Sequence, residues 1–109
     1  MTQFGVLLFW AVCCSATLTA GQVYGTLRDG GNGIPGARIE ISCGPIRYPA
    51  LATEQDGSYR TFIREPGRCT FQVTSGPRVA STEIFASNDP VRYDFDLVND
   101  GKSFVLRRR

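Results

Sequence analysis

Asp94 and Asp96 are the side chains whose spacing most directly suggests chemistry. Two carboxylates two residues apart lie on one face of a β-strand. Such a pair could serve as a general acid and base, or it could bind calcium. Arg92 shares that face, so we expect the three to form the solvent-facing half of an amphipathic strand. Asp56 is likewise expected to stabilise a turn rather than to bind a metal.

The chain of 109 residues contains no histidine. A Ser-His-Asp triad, a Cys-His pair and a histidine zinc site are therefore excluded. Beyond the first twenty residues there are only two cysteines, Cys43 and Cys69, which are too few for a four-thiolate metal centre. We therefore predict that the protein is not an enzyme and needs no cofactor.

The first twenty residues contain no charged side chain, and residues 4–12 are almost continuously apolar. This pattern predicts a signal peptide over residues 1–20, with cleavage after Ala20 or Gly21, and a single domain over residues 21–109. The alternatives are an uncleaved anchor and a lipid anchor at Cys13 or Cys14. We expect export to the periplasm or the outside of a bacterial envelope, with no stable membrane span after cleavage.

Cys43 and Cys69 form an even pair in a small domain that is predicted to be exported. In an oxidising compartment such a pair is typical of a disulfide. The alternative is two buried free thiols on neighbouring strands. A disulfide would stabilise the domain by restricting the unfolded chain, by about 3 to 4 kcal/mol for a loop of this length.

Positive charge is concentrated at the C-terminus. The formal net charge is +2, but Arg107, Arg108 and Arg109 contribute three of the positive charges, and the rest of the chain has a net charge of −1. The body of the protein is therefore not a basic nucleic-acid surface. The three arginines could bind an anionic partner, or they could form an ordinary solvated terminus.

Apolar and polar residues alternate with a period of two after residue 20, and no helical period appears. An Asp-Gly pair at positions 56 and 57 indicates a tight hairpin turn. The predicted strands cover residues 23–28, 37–43, 50–53, 58–64, 69–74, 79–85, 91–97 and 103–107. Short strands with frequent turns favour an all-β fold, which we expect to be a small antiparallel β-sandwich of about seven strands.

Four residues are candidates for an exposed ligand surface. These aromatic and cationic side chains, which could stack on sugar rings or dock a peptide, are Arg47, Tyr48, Tyr24 and Phe62. Single exposed aromatic residues are also common on ordinary protein surfaces, so this alternative stays open.

Short motifs in the first half of the chain resemble the carboxypeptidase regulatory-like domain. The matching segments are Gly33-Ile34-Pro35-Gly36-Ala37, then Thr53, Asp56, Gly57 and Tyr59, then Gly67, Thr70, Phe71 and Val73. The resemblance covers residues 21–73 well and the remainder loosely. It implies a transthyretin-like, or prealbumin-like, β-sandwich. It also implies the role of an accessory domain.

These expectations together predict an exported, non-catalytic binding or structural module. Its leading predicted role is protein–protein interaction through sheet edges and loops. A carbohydrate-binding module is the alternative. No nucleic-acid partner is expected.

Overall fold

The computed structural model describes residues 21–109, so the predicted signal peptide lies outside the described residues, as do Cys13 and Cys14. The described part contains β-strands and turns but no helix, and hence no helix that could cross a membrane. Its strands are β1 (Gln22–Asp29), β2 (Asn32–Gly33), β3 (Arg38–Cys43), β4 (Ile46–Arg47), β5 (Leu51–Ala52), β6 (Ser58–Phe62), β7 (Gly67–Ser75), β8 (Arg78–Ala86), β9 (Val91–Arg92), β10 (Phe95–Asn99) and β11 (Phe104–Arg108).

The strands form two sheets. The first sheet has the order β11-β10-β1-β2, and β6 and β9 also pair with β1. The second has the order β4-β3-β7-β8, and β5 pairs with β3. All pairings are antiparallel except those of β1 with β9 and β10, which run parallel.

The prediction of an all-β sandwich of about seven strands is confirmed. Of the eleven strands in residues 21–109, seven have five residues or more, and the other four are two-residue segments. These short segments extend the sheets where turns bring the chain back beside a longer strand. Two of them, β5 and β9, lie within the strands predicted over residues 50–53 and 91–97. The other two, β2 and β4, were not predicted, because two residues are too few to alternate.

The core lies between the sheets and is built by the predicted alternation. Val23 and Leu27 of β1 are fully buried, and Phe71 of β7 faces them from the second sheet without any exposure. The Phe71 ring centroid lies 5.3 Å from that of Tyr59 and 5.0 Å from that of Phe95. Burying each large apolar side chain contributes about 1.5 to 3 kcal/mol, so this aromatic centre is a main source of stability.

The structure joins Cys43 and Cys69 in a disulfide, as the sequence predicts. Both cysteines belong to the second sheet, Cys43 at the end of β3 and Cys69 in β7. The neighbouring residues Ser42 and Thr70 are direct cross-strand partners. The bond therefore links adjacent strands of one sheet and does not connect the two layers.

One predicted strand is interrupted. Residues 91–97 were expected to form one continuous strand, but β9 ends at Arg92 and β10 begins at Phe95. The interruption arises because the Asp94 carboxylate takes the place of a backbone acceptor. The backbone N–H and the hydroxyl of Thr26 donate to Asp94 Oδ1 at 2.9 and 3.0 Å. The predicted inward direction of Tyr93, Phe95 and Leu97 is nevertheless correct, since all three are buried.

Candidate ligand pocket on the first sheet

A cavity of about 550 Å³ lies over the outer face of the first sheet, where the β5 segment of the second sheet comes beside it. We call it the Tyr24 pocket. Strands β1, β6 and β9 supply most of its wall, and the segment around β5 supplies the remainder. The polar and charged residues that line it without being fully buried are Tyr24, Thr26, Glu54, Ser58, Arg60 and Arg92.

Strand alternation explains why these side chains face away from the core. Val23, Gly25 and Leu27 point inward and are buried, so Tyr24 and Thr26 point outward and are half-buried. Arg60 is the antiparallel partner of Tyr24 in β6, and Arg92 is its parallel partner in β9.

Adjacent strands are about 4.8 Å apart, so Tyr24 stands between two arginines in one row. The row joins a flat aromatic ring to two cationic groups.

Asp94 holds one of these arginines in place. Its Oδ2 accepts a hydrogen bond from Arg92 Nε at 2.9 Å, while its Oδ1 is occupied by Thr26. Burial alone would raise the pKa of Asp94, but hydrogen bonds from Thr26 and Arg92 outweigh it and lower that pKa. The carboxylate therefore stays ionised at neutral pH and neutralises much of the Arg92 charge.

Arg60 and Glu54 are the charged lining groups that stay available. Neither has an ion-pair partner among residues 21–109. Both are exposed to solvent, so a ligand could reach them without breaking an existing ion pair. The pocket therefore offers a free guanidinium donor and a free carboxylate acceptor beside the Tyr24 ring.

Tyr59 also lines the pocket but belongs to the core. Its hydroxyl donates to the backbone oxygen of Tyr93 at 2.7 Å. Burial, and after it the negative charge of Asp94, raises the pKa of Tyr59. The phenol therefore stays protonated, and its hydrogen bond fixes the backbone where β9 gives way to β10.

The structure separates the four residues of the predicted ligand surface. Tyr24 lies in the Tyr24 pocket. Arg47 and Tyr48 line a second cavity of about 210 Å³ on the outer face of the second sheet. Phe62 is 50 % exposed at the end of β6 and lines neither cavity. The expectation of one shared surface is therefore corrected, because the residues are distributed over two sheets.

The C-terminal arginines are largely engaged within the fold. Arg107 and Arg108 belong to β11, which pairs with β10. The Arg108 guanidinium lies 4.3 Å from the Tyr93 ring centroid, and Arg109 Nε lies 3.0 Å from Asp96 Oδ1. Among residues 21–109, Arg107 alone of the three has neither an ion pair nor a ring contact. The segment is an edge strand rather than a loose tail.

Glu54, Arg60 and Arg92 were not among the predicted site residues. Alternation places Arg60 on an outward face, but it does not show which strand will lie beside β6. The parallel partner of Tyr24 is 68 positions away in sequence, so sequence spacing carried no signal for it. Asp56 behaves as expected, since the backbone N–H and hydroxyl of Ser58 donate to its Oδ1 at 3.0 and 2.7 Å. Residues 21–109 contain no cluster of three metal-binding side chains.

Comparison with known proteins identifies the fold. No family model matches the chain, and no curated protein matches it. Among solved structures, the chain is similar to the 5-hydroxyisourate hydrolase of Klebsiella pneumoniae, with a TM-score of 0.62 and 16% identity over 82% of this chain and 98% of the hydrolase. It is also similar to an (S)-allantoin synthase, with a TM-score of 0.50 and 17% identity over 84% of this chain and 44% of the synthase.

These likenesses establish a transthyretin-like β-sandwich, and at such identities they show the fold alone. The prediction of a non-catalytic accessory module that acts through protein or carbohydrate contacts is corrected at this point. Both solved neighbours carry the names of enzymes, so the fold gives no reason to class this chain with accessory domains. The motif resemblance failed here because short glycine-spaced turns specify a sandwich and not its use.

Proposed function

We propose that the protein binds a small planar heterocycle in the Tyr24 pocket, one that carries N–H donors beside carbonyl or oxyanion acceptors. The observation that carries this proposal is the cross-strand row of Arg60, Tyr24 and Arg92, with Glu54 on the same cavity. The volume of about 550 Å³ lies within the range of small-molecule sites, about 300 to 1,000 Å³.

Each part of the row suits one part of such a ligand. The Tyr24 ring offers a face on which a flat heterocycle can stack. The Arg60 guanidinium offers paired N–H donors to an oxyanion or a carbonyl oxygen. The Glu54 carboxylate accepts hydrogen bonds from ring N–H groups. A ligand with only negative groups would be repelled by Glu54, so the pocket favours mixed donors and acceptors.

A second candidate function is hydrolysis of such a heterocycle in the same pocket. Glu54 could accept a proton from a water that adds to a ring carbonyl carbon, and return it to the ring nitrogen as the C–N bond breaks, as a positioned carboxylate does in general acid–base catalysis. Arg60 could stabilise negative charge that develops on a carbonyl oxygen. The solved neighbour named 5-hydroxyisourate hydrolase supplies the compound to test first.

Titration calorimetry with (S)-allantoin tests the binding proposal. We expect saturable binding that weakens at least about tenfold in Arg60→Met and in Glu54→Gln, because each change removes one charged partner of the ligand. Arg47→Met, on the other sheet, is the matched control and should bind as the native protein does. Equal binding by all four proteins, or none by the native protein, would refute the assignment of the pocket.

The decay of 5-hydroxyisourate, followed by its ultraviolet absorbance, tests the hydrolytic candidate. Acceleration by the native protein and its loss in Glu54→Gln would support hydrolysis. If the protein binds allantoin but 5-hydroxyisourate decays at the same rate with and without the protein, the site is a binding site and not a catalytic one.

We also propose that the chain is an exported member of the carboxypeptidase regulatory-like domains within this fold. The motifs at residues 33–37, 53–59 and 67–73 support that membership. The uncharged first twenty residues support export, and the disulfide is compatible with an oxidising compartment. The intact mass of the protein from an envelope fraction tests this proposal. A chain that retains Met1 would contradict cleavage.

A further inference from the structure

The outer face of the second sheet carries a second arrangement of polar side chains, set by its strand register. Ser42 is the cross-strand partner of Thr70 on one side and of Arg47 on the other. Glu40 is the partner of Gln72, one row further along the same face. These side chains line the cavity of about 210 Å³, which we call the Tyr48 pocket.

Tyr48 forms a fixed wall of this pocket. Its backbone N–H donates to the Ile41 oxygen at 3.0 Å, and its hydroxyl accepts from the Arg64 backbone N–H at 3.3 Å. The backbone of Tyr48 and the hydroxyl end of its ring are therefore both fixed by hydrogen bonds. A cavity of this size is below the usual range for drug-sized ligands, so it suits a smaller molecule.

Arg47 and Glu40 bring opposite charges to the lining of the pocket. Arg47 has no ion-pair partner among residues 21–109. Glu40 has one, Arg38 at 3.5 Å, but both of these side chains are solvent-exposed. Exposed pairs of this kind contribute little to stability, so a ligand can compete with Arg38 for Glu40.

The spacing of the two rows defines the length of a matching ligand. Ser42 and Glu40 are two residues apart in β3, which separates their rows by about 7 Å. An extended dipeptide spans at most about 7 Å between its ends. Arg47 and Glu40 are diagonal neighbours on β4 and β3, a geometry that places Cα atoms about 7 to 8 Å apart. The polar groups of Ser42, Thr70 and Gln72 line the same pocket and could bond to a peptide group.

We propose that the Tyr48 pocket binds a zwitterionic dipeptide, with its carboxylate on Arg47 and its ammonium group on Glu40. This site is separate from the Tyr24 pocket and does not depend on the function proposed for it.

Amide chemical shifts of the ¹⁵N-labelled full chain, titrated with Ala-Ala, test this inference. We expect saturable shifts centred on residues 40–48 and 70–72. N-acetyl-Ala-Ala and Ala-Ala amide, which each lack one terminal charge, should bind at least about tenfold more weakly. Free alanine, whose charges are too close together to reach both rows, should also bind weakly.

Variants of the two charged residues complete the test. Arg47→Met and Glu40→Gln should each weaken Ala-Ala binding by at least about tenfold, while their thermal midpoints stay close to that of the native protein. Arg60→Met, in the Tyr24 pocket, should bind Ala-Ala normally. Shifts centred on Tyr24, equal affinity for the blocked dipeptides, or no saturable shift at all would overturn the proposal.

Discussion

The outer faces of the two sheets differ in how their pockets are built. On the second sheet, the Tyr48 pocket lies over regular antiparallel pairs, and its rows follow directly from the register of β3 with β7. On the first sheet, the Tyr24 pocket lies where the ladder is interrupted between β9 and β10. Alternation and register set the side chains of both pockets, but only on the first sheet does a residue of an interrupting segment, Asp94, hold a pocket arginine in place.

The interruption is possible because two special residues meet at it. Gly25 lets the Tyr93 backbone approach β1, since a Cβ atom at position 25 would lie only 1.8 Å from the Tyr93 oxygen. Asp94 then binds the Thr26 N–H with its side chain. The first sheet therefore depends on a close backbone approach, while the second has a covalent link between β3 and β7. Substitutions at these positions should show how much the close backbone approach and the disulfide each stabilise the protein.

Gly25→Ala should have the largest effect. Its Cβ would overlap a backbone oxygen that cannot move without separating β9 from β1, so we expect a loss of at least about 3 kcal/mol of unfolding free energy. Gly44→Ala is the control on the second sheet, because no atom lies within 4 Å of its Cβ and its positive φ of 62° is the only obstacle. That substitution should lower the free energy of unfolding by about 1 kcal/mol, as measured by urea unfolding. Equal losses would show that the close approach is not important.

The double substitution of Cys43 and Cys69 by alanine should come next. The cysteines are separated by 26 residues, and removing the link restores freedom to the unfolded chain. We expect a loss of about 3 kcal/mol, measured by urea unfolding, and native protein with reductant should show a similar loss. If the double variant and the native protein have the same urea midpoint of unfolding, the hydrogen bonds between strands stabilise the second sheet without the disulfide.

Asp94→Asn should have a smaller effect that depends on pH. Because the folded-state pKa of Asp94 lies below its unfolded value of about 3.9, its stabilising effect is complete above that value. The effect is lost as the pH falls through the folded-state pKa. The native protein should therefore exceed the variant in thermal midpoint at pH 7, and the gap should narrow below about pH 4.

Asp89→Asn is the control for that experiment, since the Asp89 side chain is exposed and no hydrogen bond to its carboxylate is present within residues 21–109. A gap between native protein and Asp94→Asn that stays constant with pH would contradict the role assigned to the carboxylate.

Arg60→Met and Arg47→Met should have the smallest effect on the fold, within about 0.5 kcal/mol, because both side chains are exposed and unpaired among residues 21–109. Their thermal midpoints should match that of the native protein. Any loss of ligand binding in either variant can then be assigned to its pocket. A large fall in the midpoint would instead give that arginine a structural role.

Much of the fold could be predicted because it rests on local patterns. The alternation around Phe71 and Val73 predicted a buried strand face, and both residues are fully buried. The Asp-Gly turn at position 56 and the pairing of Cys43 with Cys69 were also predicted. The Tyr24 pocket could be predicted only in part, since Tyr24 was identified while Arg60, Arg92 and Glu54 were not.

The sequence by itself determined which residues face inward, because period-two alternation and turn residues act over a few positions. Tertiary structure alone decided that Tyr24 would lie between arginines 36 and 68 positions away, because cross-strand partners are chosen by sheet register and layer packing. It also decided that Asp94, which lies on the outward face beside Arg92, would bind Thr26 and interrupt the strand. That outcome depends on the close approach at Gly25, which no local pattern encodes.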